Sequence, residues 1–168
     1  MAEEQDQSIQ AALGAIPTGL FVLTAAHEDR RAGMLCDWVQ RCCGEPPMVV
    51  VAVAKGKGIM PLISESRQFA LCQIADNDRL LPRKFERDSE LGEDPFLGTD
   101  LLPGNLPHLP LLRSSLTWIE CELACHLDVE GDHDLFVGHV KGGGRRTGNP
   151  RIHVAAPDPA PAPTDASI

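Results

Sequence analysis

The sequence "LTWIECELACHLDVEGDHDLFVGHVKGGG", residues 116–144, decides the fold class. In its first part, apolar residues alternate with two glutamates, which is the period of a strand with one buried face. Gly131 then interrupts the pattern, and a second apolar run follows. We therefore predict an antiparallel hairpin. The positions predicted to point inward are Ile119, Cys121 and Leu123, and those predicted to point outward are Glu120 and Glu122.

Other parts of the chain predict more strands and a few short helices. Runs of β-branched and aromatic residues indicate strands. They are "TGLFVLTAA" (18–26), "MVVVAVA" (48–54), "QFALCQI" (68–74) and "NPRIHVA" (149–155). We expect the valine-rich run to be buried on both faces. Helical spacing or capping residues indicate three helices. They are "SIQAALGAI" (8–16), "IMPLISES" (59–66) with Pro61 in its first turn, and one capped by Asp76, Asn77 or Asp78 that continues to Phe85.

The remaining segments have little periodicity. Residues 88–112 contain many prolines and glycines and predict a long excursion, which in a compact domain usually binds a ligand or covers a partner. Residues 155–168 form a Pro/Ala-rich stretch that we expect to be a disordered tail, after a single domain at 1–154. Strands joined mainly by turns favour a mainly β, antiparallel barrel, because closure removes exposed sheet edges.

Composition restricts the possible partners. A formal net charge of -9 argues against nucleic acid and anionic membranes, which bind proteins rich in Lys and Arg. The longest apolar run is far shorter than the roughly 20 residues of a membrane span, and the acidic beginning "MAEEQDQS" is unlike a secretory signal. We therefore expect a cytoplasmic protein that binds small molecules or proteins.

The six cysteines do not predict a metal site. None forms a C-x-x-C pair, and an even number of cysteines carries no disulfide implication in a reducing compartment. Cys121 and Cys125 share the predicted hairpin strand, where residues four apart lie about 13 Å from each other. They cannot chelate one ion, so we expect no metal and interpret the thiols as small buried hydrophobic groups.

Several motifs together resemble a known family. "ALGAIPTGLFVLTA", "GM" with "PP" twelve residues on, "SESRQFALCQI", "LLPRKF", "LPHLPLLRSSLTWIECEL" and "GDHDLFVGHV" occur in this order. Over residues 10–141 the chain thus resembles the flavin reductase-like family, the FMN-binding split barrel. The resemblance implies a Greek-key split barrel, a homodimer with FMN near the subunit interface, and often NAD(P)H-dependent reduction of flavin.

The resemblance also implies where the flavin binds. In the family, the segment between Gly-Met and Pro-Pro surrounds the flavin, and a Thr or Ser near the next helix start helps to hold its phosphate. The matching residues here are Leu35, Cys36, Asp37, Trp38, Arg41, Cys42 and Cys43, followed by Lys55, Lys57 and Ile59. Most lack the hydroxyl and amide groups typical of the family. Backbone N–H groups and the cations of Arg41, Lys55 and Lys57 are the expected substitutes, and Trp38 is expected to contact the isoalloxazine.

His133 is the expected catalytic residue. The family histidine at this position lies near flavin and nicotinamide, where an imidazole donates a hydrogen bond or neutralises charge during hydride transfer. An alternative role is to fix the hairpin turn together with Asp132. We expect an NAD(P)H:flavin oxidoreductase. Two alternatives remain: a non-catalytic FMN electron carrier with a redox protein partner, and a degenerate split-barrel dimer that has lost flavin.

Overall fold

The computed structural model describes residues 1–88 and 92–153. Helices in these ranges are α1 (Ala2–Gly14), α2 (Ile59–Ser66) and α3 (Leu80–Phe85). The strands are β1 (Thr18–Gly19), β2 (Phe21–His27), β3 (Arg30–Cys36), β4 (Val39–Cys43), β5 (Met48–Ala54), β6 (Gln68–Gln73), β7 (Leu101–Leu102), β8 (Leu111–Leu112), β9 (Thr117–Asp128), β10 (His133–Arg145) and β11 (Ile152–His153). The predicted tail at 155–168 lies outside the described residues.

A seven-stranded antiparallel sheet dominates the molecule, in the order β3-β2-β6-β9-β10-β5-β4. Its edge strands, β3 and β4, follow each other in the chain and are joined only by Asp37 and Trp38. A flat sheet of this size would separate its edges by about 29 Å. A connection of this length spans at most about 11 Å. The sheet must therefore curl until its edges approach, and the predicted mainly β, antiparallel architecture is confirmed.

The interior of the curled sheet holds the main core. Phe69 and Phe136 are fully buried there, together with the inward-facing valines of β5. Helix α2 closes this interior with Ile59 and Leu62. As predicted, Pro61 lies in its first turn, where a missing N–H costs nothing. The core therefore fixes the start of α2 against the end of β5.

One half of the sheet's outer surface is covered by the chain itself. The outward residues of β2 and β6 pack under α3 and the excursion, forming a second buried cluster. Its fully buried members include Val22, Cys72 and Leu112. Asp78, one of the three predicted capping residues, accepts hydrogen bonds from the N–H groups of Leu80 and Leu81 at the start of α3. The predicted excursion thus covers the sheet of its own chain.

The other half of the outer surface is open. We call it the uncovered face; it lies on β5, β9 and β10 and, by strand register, carries Met48, Val50, Ala52, Ala54, Cys125, Leu127, Leu135, Val137 and His139. None of these side chains is a carboxylate, an ammonium or a guanidinium, but Glu122, which pairs with His139, adds a carboxylate at the margin of this face, 3.1 Å from Nζ of Lys141. Those of β5 are only partly buried, and Leu127 is 46% exposed. The prediction that β5 is buried on both faces is therefore wrong, because its own chain covers only the inner face.

Two further predictions need correction. Glu120 does not point to solvent: it is 1% exposed, and its Oε2 accepts a 2.8 Å hydrogen bond from the N–H of Leu106, since the excursion folds over this part of β9. The interpretation of all thiols as buried is also wrong for Cys42 and Cys125. Both are exposed, because Cys42 lies at an irregularity of the edge strand β4 and Cys125 on the uncovered face.

Candidate functional site

Trp38 and His133, which are 95 positions apart in sequence, meet at one end of the sheet. The carbonyl of Trp38 accepts a 3.0 Å hydrogen bond from the N–H of Ala52, and His133 pairs with Ala54 in the ladder between β10 and β5. Both partners on β5 are alanines, which leave space for two rings above the strand. The ring centroids are 4.5 Å apart at an angle of 42°. Trp38 remains 54% exposed, so the pair offers an accessible aromatic surface beside the uncovered face.

Asp132 orients the imidazole of His133. Its Oδ1 lies 2.8 Å from Nδ1 of His133. An ionised carboxylate can only accept, so Nδ1 carries the hydrogen and donates it. This bond lowers the pKa of Asp132 from its ordinary value. The other ring nitrogen, Nε2, is then the atom of His133 that can exchange a proton with a bound molecule.

A polar cluster lies at the hairpin end, on the opposite face of the sheet. Nζ of Lys55 is 2.7 Å from Oδ1 of Asp128 and 3.6 Å from Oδ1 of Asp134. The hydrogen bond between Lys55 and Asp128 raises the pKa of the lysine and lowers that of the aspartate. Asp134 is buried, and its Oδ2 lies 2.7 Å from Nε2 of His126. The predicted phosphate ligand Lys55 is thus already paired with two carboxylates.

Lys57 and Ile59 lie at the beginning of α2. A small cleft of about 60 Å³ opens there, with Lys57, Gly58, Ile59 and Asp88 among its lining residues. The side chain of Ile59 is buried in the core, so only its main chain is available to a ligand. Nζ of Lys57 lies 2.7 Å from Oδ2 of Asp88, and both side chains are partly or largely exposed. An anion at this position would compete with Asp88 for Lys57.

Arg41 lies away from this cleft. It pairs with Val49 near the beginning of β5, whereas Lys55 directly follows the strand's end. Six residues of strand separate these positions by about 20 Å. Arg41 and the two lysines therefore cannot contact a single phosphate group.

The remaining predicted flavin ligands are divided among three environments. Leu35 packs against the second buried cluster, and Cys36 is buried, which raises the pKa of its thiol. Asp37 is half-buried beside Trp38. Cys42 is exposed and Cys43 partly buried, both at the Arg41 end of β4. Of the segment 35–43, Trp38 contacts His133, and Asp37 precedes it in the chain.

Sequence reasoning missed the residues that surround the lysines. The alternating pattern that predicts the hairpin includes His126, Asp128 and Asp134. Nothing in the sequence predicts that they lie near Lys55, because Lys55 is 73 positions from Asp128. In the part of the chain that the structure describes, no group of three or more His, Cys, Asp or Glu side chains could hold a metal ion. Nor is any helix there long and apolar enough to cross a membrane.

Comparison with known proteins identifies the family. The family model of the flavin reductase like domain matches residues 13–155. The chain therefore belongs to the flavin reductase-like family, as the sequence motifs suggested.

Individual relatives support this membership. The FMN reductase (NADH) SmoA of Agrobacterium fabrum is 30% identical over 147 residues, which cover 88% of this chain and 81% of SmoA. Diflavin flavoprotein A 1 of Synechocystis is 30% identical over 139 residues, or 82% of this chain. The chain spans only about a quarter of the length of that relative, of which 24% is matched.

Solved structures agree on the fold. The NADH:FAD oxidoreductase SgcE6 of Streptomyces globisporus C-1027 has a TM-score of 0.78 at 23% identity, with 87% of each chain covered. The same protein in complex with NAD and FAD fragments gives a TM-score of 0.76 at 22% identity, covering 92% of this chain and 95% of that one. The predicted split-barrel fold is confirmed.

Proposed function

We propose that this protein is an FMN-binding flavin reductase that transfers a hydride from NAD(P)H to flavin. The observation that carries the proposal is the contact between Trp38 and His133. It provides an accessible aromatic surface with a proton-exchanging nitrogen at the end of β5, next to the start of α2. The relative SmoA, named as an FMN reductase that uses NADH, supports FMN and a nicotinamide as the two ligands.

The residues present fit the ring end of FMN. The indole of Trp38 is 54% exposed and can pack on or against a flat ring, which contributes about 0.5 to 1.5 kcal/mol beyond buried area. When bound, the flavin supplies the hydride-accepting chemistry. His133 is oriented by Asp132 and can hold or release a proton at Nε2, and the alanines of β5 leave space beneath both rings. We therefore propose His133 as the catalytic residue.

Binding the phosphate end of FMN requires Lys57 to exchange its ion-pair partner Asp88 for the phosphate. We propose that the FMN phosphate binds Lys57 and the main chain at the start of α2, where N–H groups favour an anion. The phosphate would replace Asp88 beside Lys57. Exposed ion pairs contribute only about 0 to 1 kcal/mol, so this exchange costs little. Lys55, paired with Asp128 and Asp134, has a supporting role in fixing the end of β5.

The proposal includes a homodimer, which the uncovered face supports. It also includes a cytoplasmic location. The mainly apolar, partly exposed surface of the uncovered face borders Trp38 and His133, so a second copy would complete the wall of the flavin site. Exposed thiols such as Cys42 and Cys125 persist in a reducing compartment.

Each of the two alternative functions is supported by one specific observation. Both lysines near the proposed phosphate site are paired with carboxylates, which favours a split-barrel dimer that has lost flavin. The relatives include a diflavin flavoprotein, which favours a non-catalytic FMN carrier that passes electrons to a redox protein partner.

Intrinsic fluorescence tests the proposed site directly. The chain has two tryptophans and no tyrosine, so FMN should quench Trp38 strongly, and the Trp38→Phe variant, which retains Trp118, should show a weaker change. No quenching at saturating FMN would favour the dimer without flavin. Bleaching of bound FMN by NADH alone distinguishes the reductase from the electron carrier, which would remain oxidised.

A charge variant tests the phosphate end. Lys57→Gln should weaken FMN about tenfold and leave riboflavin unchanged, because only FMN carries the phosphate. Lys141→Gln is the matched control, since this lysine is also paired with a carboxylate, 3.1 Å from Glu122, but lies elsewhere on β10. Equal weakening for FMN and riboflavin in Lys57→Gln would contradict the phosphate assignment.

A further inference from the structure

A second cavity lies at the end of the barrel that is remote from His133. We call it the barrel-end cavity. Its volume is about 470 Å³, and its lining includes Val49, Ile119 and Val140, which also belong to or pack against the main core. Binding sites for small molecules typically have volumes of about 300 to 1,000 Å³ and mainly apolar walls with few polar groups. The cavity has the size and lining expected for a ligand of one or two rings.

The cavity is distinct from the proposed flavin site. It adjoins the first residues of β5 and residues 142–144 of β10, whereas His133 is the first residue of β10. Nine residues of strand separate His133 from Gly142, which corresponds to about 30 Å. Arg41 lies only three strand residues from Trp38 but, by register, on the opposite face of the sheet, so an FMN packed on Trp38 and His133 would lie outside the cavity.

A run of glycines shapes this end of β10. A Cβ on Gly144 would lie 2.3 Å from the ring of Trp118, and one on Gly143 would lie 2.6 Å from the carbonyl oxygen of Trp118. A larger residue at position 143 would push β10 away from β9, and one at position 144 would displace the indole of Trp118. The glycines therefore allow β9 and β10 to stay paired along the cavity wall. Because glycine has no side chain, they also leave space in the cavity.

Arg41 is the charged residue in the cavity lining. Its Nε lies 3.5 Å from the carbonyl oxygen of Cys43, at the limit of a hydrogen bond. Among residues 1–88 and 92–153, no carboxylate lies within ion-pair distance of Arg41, although acidic residues outnumber basic ones in the chain. A guanidinium without a carboxylate partner beside apolar walls matches a ligand that has an anionic group and an apolar ring.

We propose that the barrel-end cavity binds an aromatic carboxylate, with the ring against Val49, Ile119 and Val140 and the carboxylate on Arg41. The proposal does not depend on the function proposed above. It assigns Arg41 to a ligand other than FMN, and thereby explains why Arg41 lies so far from the two lysines.

The test uses the full-length chain and two ligands of similar shape, 1-naphthoate and 1-naphthalenemethanol, measured by isothermal titration calorimetry. The acid should bind about fivefold or more tightly than the alcohol, since only the acid forms charge-assisted hydrogen bonds with the guanidinium. Arg41→Gln should abolish this preference, and Arg41→Lys should restore part of it. Arg79→Gln, an exposed arginine elsewhere, should leave it unchanged.

Three results would overturn the proposal. The first is equal binding of acid and alcohol by the parent protein, or binding of neither. The second is an acid preference that survives Arg41→Gln. The third is displacement of 1-naphthoate by FMN, which would assign the cavity to the flavin. A parent that fails to bind FMN but retains the acid preference would contradict the proposed flavin reductase alone.

Discussion

The outer surface of β2 and β6 is covered by α3 and the excursion of the same chain, whereas the outer surface of β5 and β10 is open. The covered half is as well buried as the interior: Val22, Cys72 and Ile74 have no exposed surface. The uncovered face is mainly apolar, with Glu122 at its margin, but only partly buried. An apolar strand pattern therefore predicts that a face of the sheet will be covered. It does not predict whether the same chain or a second molecule covers it.

The largest expected effect comes from the covered half. Phe96 is 2% exposed and packs with its ring centroid 5.7 Å from that of Phe85. Phe96→Ala should lower the free energy of unfolding by about 3 to 5 kcal/mol, because it leaves a cavity beneath the excursion. Urea denaturation measures this. The control is the neighbouring Leu97→Ala: Leu97 is 81% exposed, and its loss should cost less than about 0.5 kcal/mol.

The uncovered face should control dimerisation. Leu135 pairs with Leu127 across β10 and β9 in this face. Leu135→Asp should weaken the proposed homodimer by about 100-fold or more, because an unpaired carboxylate would be buried at an apolar interface. Sedimentation velocity measures this, with Leu80→Asp on α3 as a control that should remain dimeric. A parent that is monomeric at micromolar concentration would contradict both the dimer and its role in the flavin site.

Thiol reactivity provides an independent measure of the same comparison. Burial raises the pKa of Cys72 to about 11 and that of Cys121 to about 12, so both should resist a thiol reagent at pH 8. Cys125 lies on the uncovered face and should react about tenfold faster in the monomeric Leu135→Asp variant than in the dimer. Cys42, which is exposed on β4, should react at one rate in both proteins. Equal rates for Cys125 would place the interface elsewhere.

The smallest expected effect concerns the ion pair between Lys55 and Asp128, at the hairpin end on the face of the sheet opposite to the uncovered face. The pKa of Asp128 is lowered, so its contribution to stability is present above the ordinary aspartate pKa and is lost as pH falls through the folded value. NMR titration should therefore show Asp128 titrating below the ordinary aspartate range. In Lys55→Gln it should return toward that range. An unchanged titration in the variant would mean that the pair does not form in solution.

Most of the fold could be predicted because its signals are local. Alternation in β9, the valines of β5 and Pro61 in α2 each act within a few residues, and each predicts its element correctly. Glu120 could not be placed, because its burial depends on an N–H donated by Leu106 of the excursion. Strand β4 was missed for a related reason: it is an edge strand with exposed polar residues and therefore lacks an apolar period.

The candidate site could be predicted only in part. The family motifs indicated Trp38 and His133 separately, but their contact depends on the register between β5 and β10, which no local pattern encodes. The cations of Arg41, Lys55 and Lys57 were interpreted together as substitutes for the missing hydroxyl and amide groups of the flavin site. Side-chain type suggested a shared role for these cations, and the length of β5 separates them.

The small sheet formed by β1 and β11 has a consequence for how this domain can be joined to others. Thr18 pairs with His153, so the chain enters and leaves the barrel at neighbouring points. A domain with adjacent entry and exit points can be inserted into another protein or circularly permuted without stretching its host. This geometry is compatible with relatives such as the diflavin flavoprotein, in which the matching region makes up 24% of a longer chain.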